Sequence, residues 1–232
     1  MNLEEQIYIR KSCRKYLDDE IDMEIIHDFM SSVKPLNRNI HYHYDILARE
    51  EVNVRNRWSA PYYLALYSEK KENFGENIGF VFQQLSLYLQ SIGIGTCWVG
   101  MDSPKKKNSD FVIAISFGKS GNMNRNIEDF KRKKLSEISD FEDERLIPAQ
   151  LAPSAVNSQP WFFKHCGDHF DVFQVKQNIL KRQIFKKWNP IDMGIALAHL
   201  YVANPETFEF YIKNEFEDIK GYSYVGSIKI VG

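Results

Sequence analysis

Four stretches of the 232-residue chain carry side chains that could do chemistry. RKSCRKY (10–16) sets Arg10, Lys11, Ser12 and Arg14 within five positions at the end of a short helical stretch. Three cations beside a hydroxyl donor can receive a phosphate dianion, because a guanidinium grips two oxygens at once. The same composition also suits a solvated cationic helix end. FKRKKLSEI (130–138) places Lys131, Arg132, Lys133 and Lys134 side by side, a run that by charge alone reads as a solvated face, as does KKK at 105–107. In SIGIGTCWVG (91–100), two glycines one residue apart follow an apolar helical pattern. They let a backbone approach a ligand closely, or they simply cap the helix. APSAVNSQPW (152–161) is stiffened by Pro153 and Pro160, while Ser154, Asn157, Ser158 and Gln159 offer neutral donors and acceptors. Such a segment suits the edge of a planar heterocycle, with Trp161 packed beside it. A helix-to-strand turn is the plainer alternative.

Other chemistries are disfavoured. The glycine spacing is not G-x-G-x-x-G between a strand and a helix, and no phosphate loop ending in G-K-[ST] occurs. No G-x-S-x-G elbow and no H-E-x-x-H pattern is present. Cys13, Cys97 and Cys166 are scattered and odd in number, which points to reduced thiols and no structural zinc. His199 reads as a core histidine, and Asp192 as an N-terminal helix cap.

The elements that must position these stretches follow from apolar periodicity. A helix is expected in DMEIIHDFMSSV (22–33), stopped by Pro35, with strands in HYHYDILA (41–48) and PYYLALYSE (61–69). ENIGFVFQQLSLYLQSIG (76–93) is apolar nearly all round and reads as a buried central helix. FVIAISFG (111–118) reads as a covered strand, and the polar residues 118–134 as a surface connection. Ser139 with Glu142 resembles a capping box opening a helix over roughly 140–151. PWFFKH and HFDVFQVK follow as strands, IDMGIALAHLYVA (191–203) as a second apolar helix, then FEFYIK (208–213) and YVGSIKIVG as strands. NIGFVFQQL (77–85) and DMGIALAHL (192–200) align without gaps through Gly79 with Gly194 and Leu85 with Leu200. This repeat predicts two α+β halves, 1–137 and 138–232.

Thirty basic against thirty-one acidic residues leave a net charge of −1, which argues against a dedicated nucleic-acid binder. No apolar run reaches the ~20 residues needed to span a bilayer, and MNLEEQIYIRKS lacks a signal-peptide core, so a cytoplasmic location is expected.

Together the four stretches resemble the nitroreductase family of FMN-dependent oxidoreductases. RKSCRKYLDDEID is similar to its R-x-S-x-R-x-[FY] signature, SIGIGTCWVG to its G-L-G-T-C-W-[IV]-G segment, and KRKKLSEI to its R-K-x-L-x-E stretch. APSAVNSQPWFF resembles A-P-S-x-x-N-x-Q-P-W-x-F, with Ala155 where a second serine is common. In ordinary members that last segment follows the first long helix; here SSVKPLNRNIHYHY stands in that place. The arrangement most resembles the divergent branch known as putative TM nitroreductases.

The resemblance implies an α+β, nitroreductase-like fold with mixed or antiparallel sheets around central buried helices. Ordinary members are homodimers with FMN at the subunit interface, so this chain is expected to be an internal pseudo-dimer, able to hold one FMN as a monomer. Arg10, Lys11 and Ser12 would hold the phosphate, with Arg132 and Lys133 closing over it. Arg14 would approach the N1–O2 side of the ring, and the amides of Val99 and Gly100 would sit near N5. Pro153, Ser154, Ala155 and Asn157 would flank ring or ribityl chain. The implied activity passes hydride from NADH or NADPH through FMN to a nitroaromatic, quinone or similar small acceptor, with no side-chain acid or base required. A flavin-binding protein for storage or sensing, and a basic-patch interaction protein, are the competing classes.

Overall fold

The computed structural model describes residues 2–121, 123–176 and 185–231. Two short helices, α1 (Glu4–Ile9) and α2 (Glu24–Met30), precede strands β1 (Tyr42–Ala48), β2 (Val52–Asn53) and β3 (Tyr62–Ser68). The long helix α3 (Phe74–Ser91) leads to β4 (Ile94–Val99), β5 (Ser103–Pro104) and β6 (Phe111–Lys119). The same order then recurs: α4 (Leu135–Ile138), α5 (Ile147–Leu151), β7 (Trp161–His165), β8 (Phe170–Val175), α6 (Asn189–Ala203), β9 (Glu209–Tyr211) and β10 (Tyr222–Lys229).

Two four-stranded sheets result, ordered β1-β3-β6-β4 and β7-β8-β10-β9, and every ladder in them is antiparallel. Matching β1 with β7, β3 with β8, β4 with β9 and β6 with β10 makes the two orders the same. The small β2-β5 ladder belongs to the first half alone. The two long helices form the middle, and one apolar core joins Ile78, Phe82 and Leu85 to Met193, Leu197, Trp161 and Phe163. The halves are interleaved: α1 packs on α3, α5 and α6, and α4 packs on β7.

Glycine decides how closely the central helices cross. A Cβ on Gly79 would lie 2.0 Å from the Ile191 carbonyl oxygen, and one on Gly194 would lie 1.9 Å from the Glu76 carbonyl oxygen. The contacts are reciprocal, because Gly79 meets Ile191 and Ile195 while Gly194 meets Glu76 and Phe80. One numbering offset relates all three pairs.

The polar residues on α3 are buried too, and they collect the backbone of the N-terminal loops. Gln90 accepts from the Lys11 amide at 3.3 Å, Gln84 donates to the Lys34 carbonyl at 3.0 Å, and Asn77 accepts from the Asn37 amide at 2.9 Å. Buried polar groups of this kind must be paired, so each fixes a loop in one place.

Three sequence expectations are corrected. Of the helix expected over 22–33 only Glu24–Met30 is helical, and residues 11–22 form neither helix nor strand. Most of SIGIGTCWVG is strand β4, with Ile92 and Gly93, the latter at φ +88°, in the turn after α3. No helix opens at Ser139. Its hydroxyl donates to the Phe163 carbonyl at 2.8 Å, Asp143 caps the following turn by accepting from the Arg145 amide at 2.9 Å, and α5 starts only at Ile147.

Candidate functional site

The extended segment after α1 lies along the free edge of β4, where the Cys13 amide donates to the Thr96 carbonyl at 2.8 Å. That contact needs Gly95, whose Cβ would sit 2.6 Å from the Cys13 Cβ. Two of the four stretches are thereby joined through one glycine. Arg10, closing α1, is 4% exposed and donates to Ser12 Oγ at 3.0 Å. Burial, then the neighbouring guanidiniums of Arg125 and Arg132, push its pKa down to about 9. Arg132 is pushed to about 10 by burial and by Arg125. Among the described residues no carboxylate forms an ion pair with Arg10, Arg125 or Arg132; the exposed Asp129 acts on Arg125 from farther away, and the Nε atoms of Arg125 and Arg132 are buried without a partner. Like charges held together with so little counter-charge are costly, and a bound anion relieves that cost. Phe130 stacks under two of them, 4.6 Å from Arg125 and 5.5 Å from Arg132.

The basic run has a second task. Arg132 donates to the Leu151 carbonyl at 3.1 Å and to Asn157 Oδ1 at 2.7 Å, while Asn157 donates to the Lys131 carbonyl at 2.8 Å. Lys133 donates from its amide to Gln159 Oε1 at 2.8 Å and from its ammonium to the Gln159 carbonyl at 2.9 Å. These bonds restrain a strained loop, since Val156, Asn157 and Gln159 all have positive φ, 46° for the β-branched Val156. Strain of this sort costs about 1–3 kcal/mol per residue and persists only where surrounding contacts impose it.

Between the halves lies a cavity of about 340 Å³, within the range of small-molecule sites. Ser12, Arg14, Val99 and Gly100 line it from the first half, and Pro153, Ser154 and Ala155 from the second. Arg10, Lys11, Arg132, Lys133 and Asn157 do not line it; Arg10 and Arg132 belong to the guanidinium cluster, and Lys133 and Asn157 fasten the loop. Arg14 lies over the Trp58 ring at 5.1 Å.

Sequence reasoning missed Arg125, hidden in a polar connection, along with Trp58, Cys97, Trp188 and Asp192. Trp188 packs on Gly100, and its indole N–H is buried without a partner. Asp192 is not the helix cap expected: Trp188 holds the N-cap position of α6, and Asp192, in the first turn and 3% exposed, instead accepts the Ala155 amide on both oxygens at 3.0 and 3.1 Å. Burial raises its carboxyl to about 8. The repeat alignment held the clue, because it sets Asp192 opposite Asn77.

His199 is a core histidine as expected. In the consistent tautomer it donates from Nδ1 to the Pro148 carbonyl at 2.9 Å and accepts from Gln83 at 3.0 Å, and Gln83 accepts from Trp98 Nε1 at 2.9 Å. Burial lowers its pKa to about 3. Elsewhere Cys166, His169 and Asp171 lie together at the β7–β8 turn, where the Lys213 ammonium, 2.6 Å from Asp171, already supplies the positive charge. Among the described residues no helix is long and apolar enough to cross a membrane.

Residues 2–204 match the family described as "Putative TM nitroreductase". A crystal structure described as a "putative nitroreductase" from Thermotoga maritima MSB8 is similar over 99% of this chain and 93% of that one, with 22% identity and a TM-score of 0.67. That likeness shows the expected α+β fold. An FMN-dependent nitroreductase from Clostridium difficile R20291 matches 54% of this chain and 93% of its own, at 16% identity and TM-score 0.44. A structure described as a "putative NADH oxidase" from Clostridium acetobutylicum matches 56% and 94%, at 17% identity and TM-score 0.43. No curated protein matches.

Proposed function

The chain belongs to the Putative TM nitroreductase family, and on that premise we propose that it is an FMN-dependent NAD(P)H oxidoreductase built as an internal pseudo-dimer. The observation that carries this reading is the cavity shared between the halves. Ser12, Arg14, Val99 and Gly100 face Pro153, Ser154 and Ala155 across it, and the guanidiniums of Arg10, Arg125 and Arg132 gather nearby, none of them ion-paired to a carboxylate among the described residues. The repeated element order and the reciprocal Gly79–Gly194 crossing support the duplication.

The residues present fit FMN. A dianionic phosphate matches the unbalanced positive charge and the partnerless Arg125 and Arg132 nitrogens. A planar ring suits a cavity whose walls are Val99, Ile113, Pro153 and the three tryptophans Trp58, Trp98 and Trp188. When bound, FMN would supply acceptance of hydride from a nicotinamide and its delivery to a nitroaromatic, quinone or similar acceptor. Arg10 and Arg125 would hold the phosphate, with Ser12 oriented by its bond from Arg10. Arg132 and Lys133 keep the Pro153–Gln159 loop in place. Arg14 sets a positive charge beside the cavity, which favours a bound group that gains negative charge. Each half contributes its own part, so one monomeric chain holds one FMN.

The test is anaerobic mixing of the FMN-loaded chain with NADH or NADPH. Loss of the oxidised-flavin absorbance, restored by a quinone or nitroaromatic, is the expected result. Flavin retained but reduced by neither nicotinamide would favour storage or sensing instead.

A further inference from the structure

The two halves use one hydrogen bond twice, with different side chains. In the first, Asn77 on α3 accepts the Asn37 amide, two residues after Pro35. In the second, Asp192 on α6 accepts the Ala155 amide, two residues after Pro153. An amide oxygen is enough for that bond, as Asn77 demonstrates. Its other polar atom, Nδ2, is buried without a partner. The second half carries an ionisable carboxyl at the same place, and there the position borders the cavity.

We propose that Asp192 is the proton source of the cavity, passing its proton to an acceptor's oxygen as that acceptor takes up hydride. This rests on the oxidoreductase reading above. One oxygen keeps the Ala155 amide, which both share when the carboxyl is ionised, and the other, beside the Ser158 side chain, bears the proton. Reduction of a quinone needs one hydride and one proton. The nicotinamide supplies the hydride by way of the flavin, the Asp192 O–H bond breaks, and its electron pair stays on the carboxylate. The proton forms the new O–H bond of the product, and water returns a proton to Asp192.

The surroundings suit a proton donor. Arg14 and Asp192 are the charged side chains lining the cavity among the described residues, and Cys97 is the one thiol there. Across the helix crossing, α3 presents Glu76, itself raised to about 6 by burial, and α5 presents no charged side chain. Removal from water keeps Asp192 protonated up to about pH 8, so the proton is available at neutral pH.

Asp192→Asn tests this, because Asn77 shows that the amide makes the same structural bond. The FMN-loaded native chain and variant are compared with NADH as donor and two acceptors: menadione, which needs a proton, and ferricyanide, which takes single electrons and needs none. The expected result is unchanged FMN binding and ferricyanide reduction, with menadione reduction about 100-fold slower in the variant. The native menadione rate should also fall above about pH 8, and the variant's should not. Infrared spectra of the full chain without FMN should show a protonated-carboxyl band at pH 7 that is lost at high pH and absent from the variant. An unchanged menadione-to-ferricyanide ratio, or a carboxyl already ionised at pH 7, overturns the proposal. Failure of NADH to reduce the bound flavin in the native chain instead overturns the oxidoreductase reading, and the proposal with it.

Discussion

Substituting alanine for Gly79 or Gly194 should loosen the whole molecule, because both residues stand where the central helices touch backbone to backbone. The added Cβ would meet a carbonyl oxygen at 2.0 Å or 1.9 Å, whereas ordinary contact begins at 3.4 Å, so the helices must part by more than an ångström. The obstacle is main chain on the partner helix, which cannot rotate away as a side-chain tip would. Overpacking typically costs about 1–3 kcal/mol, and this clash belongs at the upper end. Alanine's better helix propensity returns about 0.5–1 kcal/mol. Each variant should therefore lose about 2 kcal/mol, or roughly 4–8 °C in Tm for a chain of this size. Urea and thermal unfolding would measure it. Once one substitution has parted the helices, the second meets less resistance. The double variant should then fall short of the sum of the singles by about 1 kcal/mol or more. Singles as stable as the native chain, or strictly additive losses, would refute the reciprocal crossing.

Two further outcomes are expected. Arg125→Ala should weaken FMN by about 10- to 100-fold, the worth of a charge-assisted hydrogen bond, while leaving riboflavin affinity unchanged; fluorescence quenching titrations with the two flavins separate phosphate from ring contacts. His199 governs acid stability: its folded pKa of about 3 lies below the ordinary 6.5, so its contribution is complete above pH 6.5 and is lost as pH falls toward 3. The native chain should therefore lose about 2 kcal/mol relative to His199→Gln between pH 7 and pH 5, at roughly 1.4 kcal/mol per pH unit below 6.5; parallel unfolding free energies for the two would show that the histidine is not held neutral.

Much of this architecture is legible in residue order. ENIGFVFQQLSLYLQSIG and IDMGIALAHLYVA are apolar on nearly all faces, and such helices can only lie in the middle of a fold. Val- and Ile-rich FVIAISFG has to be a strand covered on both sides. The less legible features are those whose cause lies far away in sequence. Strand β4 is masked by two glycines, one of which, Gly95, is small to admit Cys13 rather than to turn the chain. Ser139 has the chemistry of a helix cap, yet the Phe163 carbonyl takes its hydroxyl. Arg125 sits in a polar connection with no periodicity, and only the bridge between Arg10 and Asn124 brings it beside Arg10. Residues from three of the segments resembling flavin-binding motifs line the cavity. The segments did not reveal that Arg132, Lys133 and Asn157 fasten the loop, nor that Asp192 takes up the Ala155 amide instead of capping its helix.

The central claim is that one chain makes one flavin site between its two halves. Size-exclusion chromatography with light scattering, on chain loaded with FMN and then desalted, tests it most directly when flavin absorbance is recorded across the peak. The account predicts about one FMN per chain in the monomer fraction, with Arg10→Ala and Arg125→Ala reducing retention there. Flavin found only with a dimer, and lost when that dimer dissociates, would contradict it.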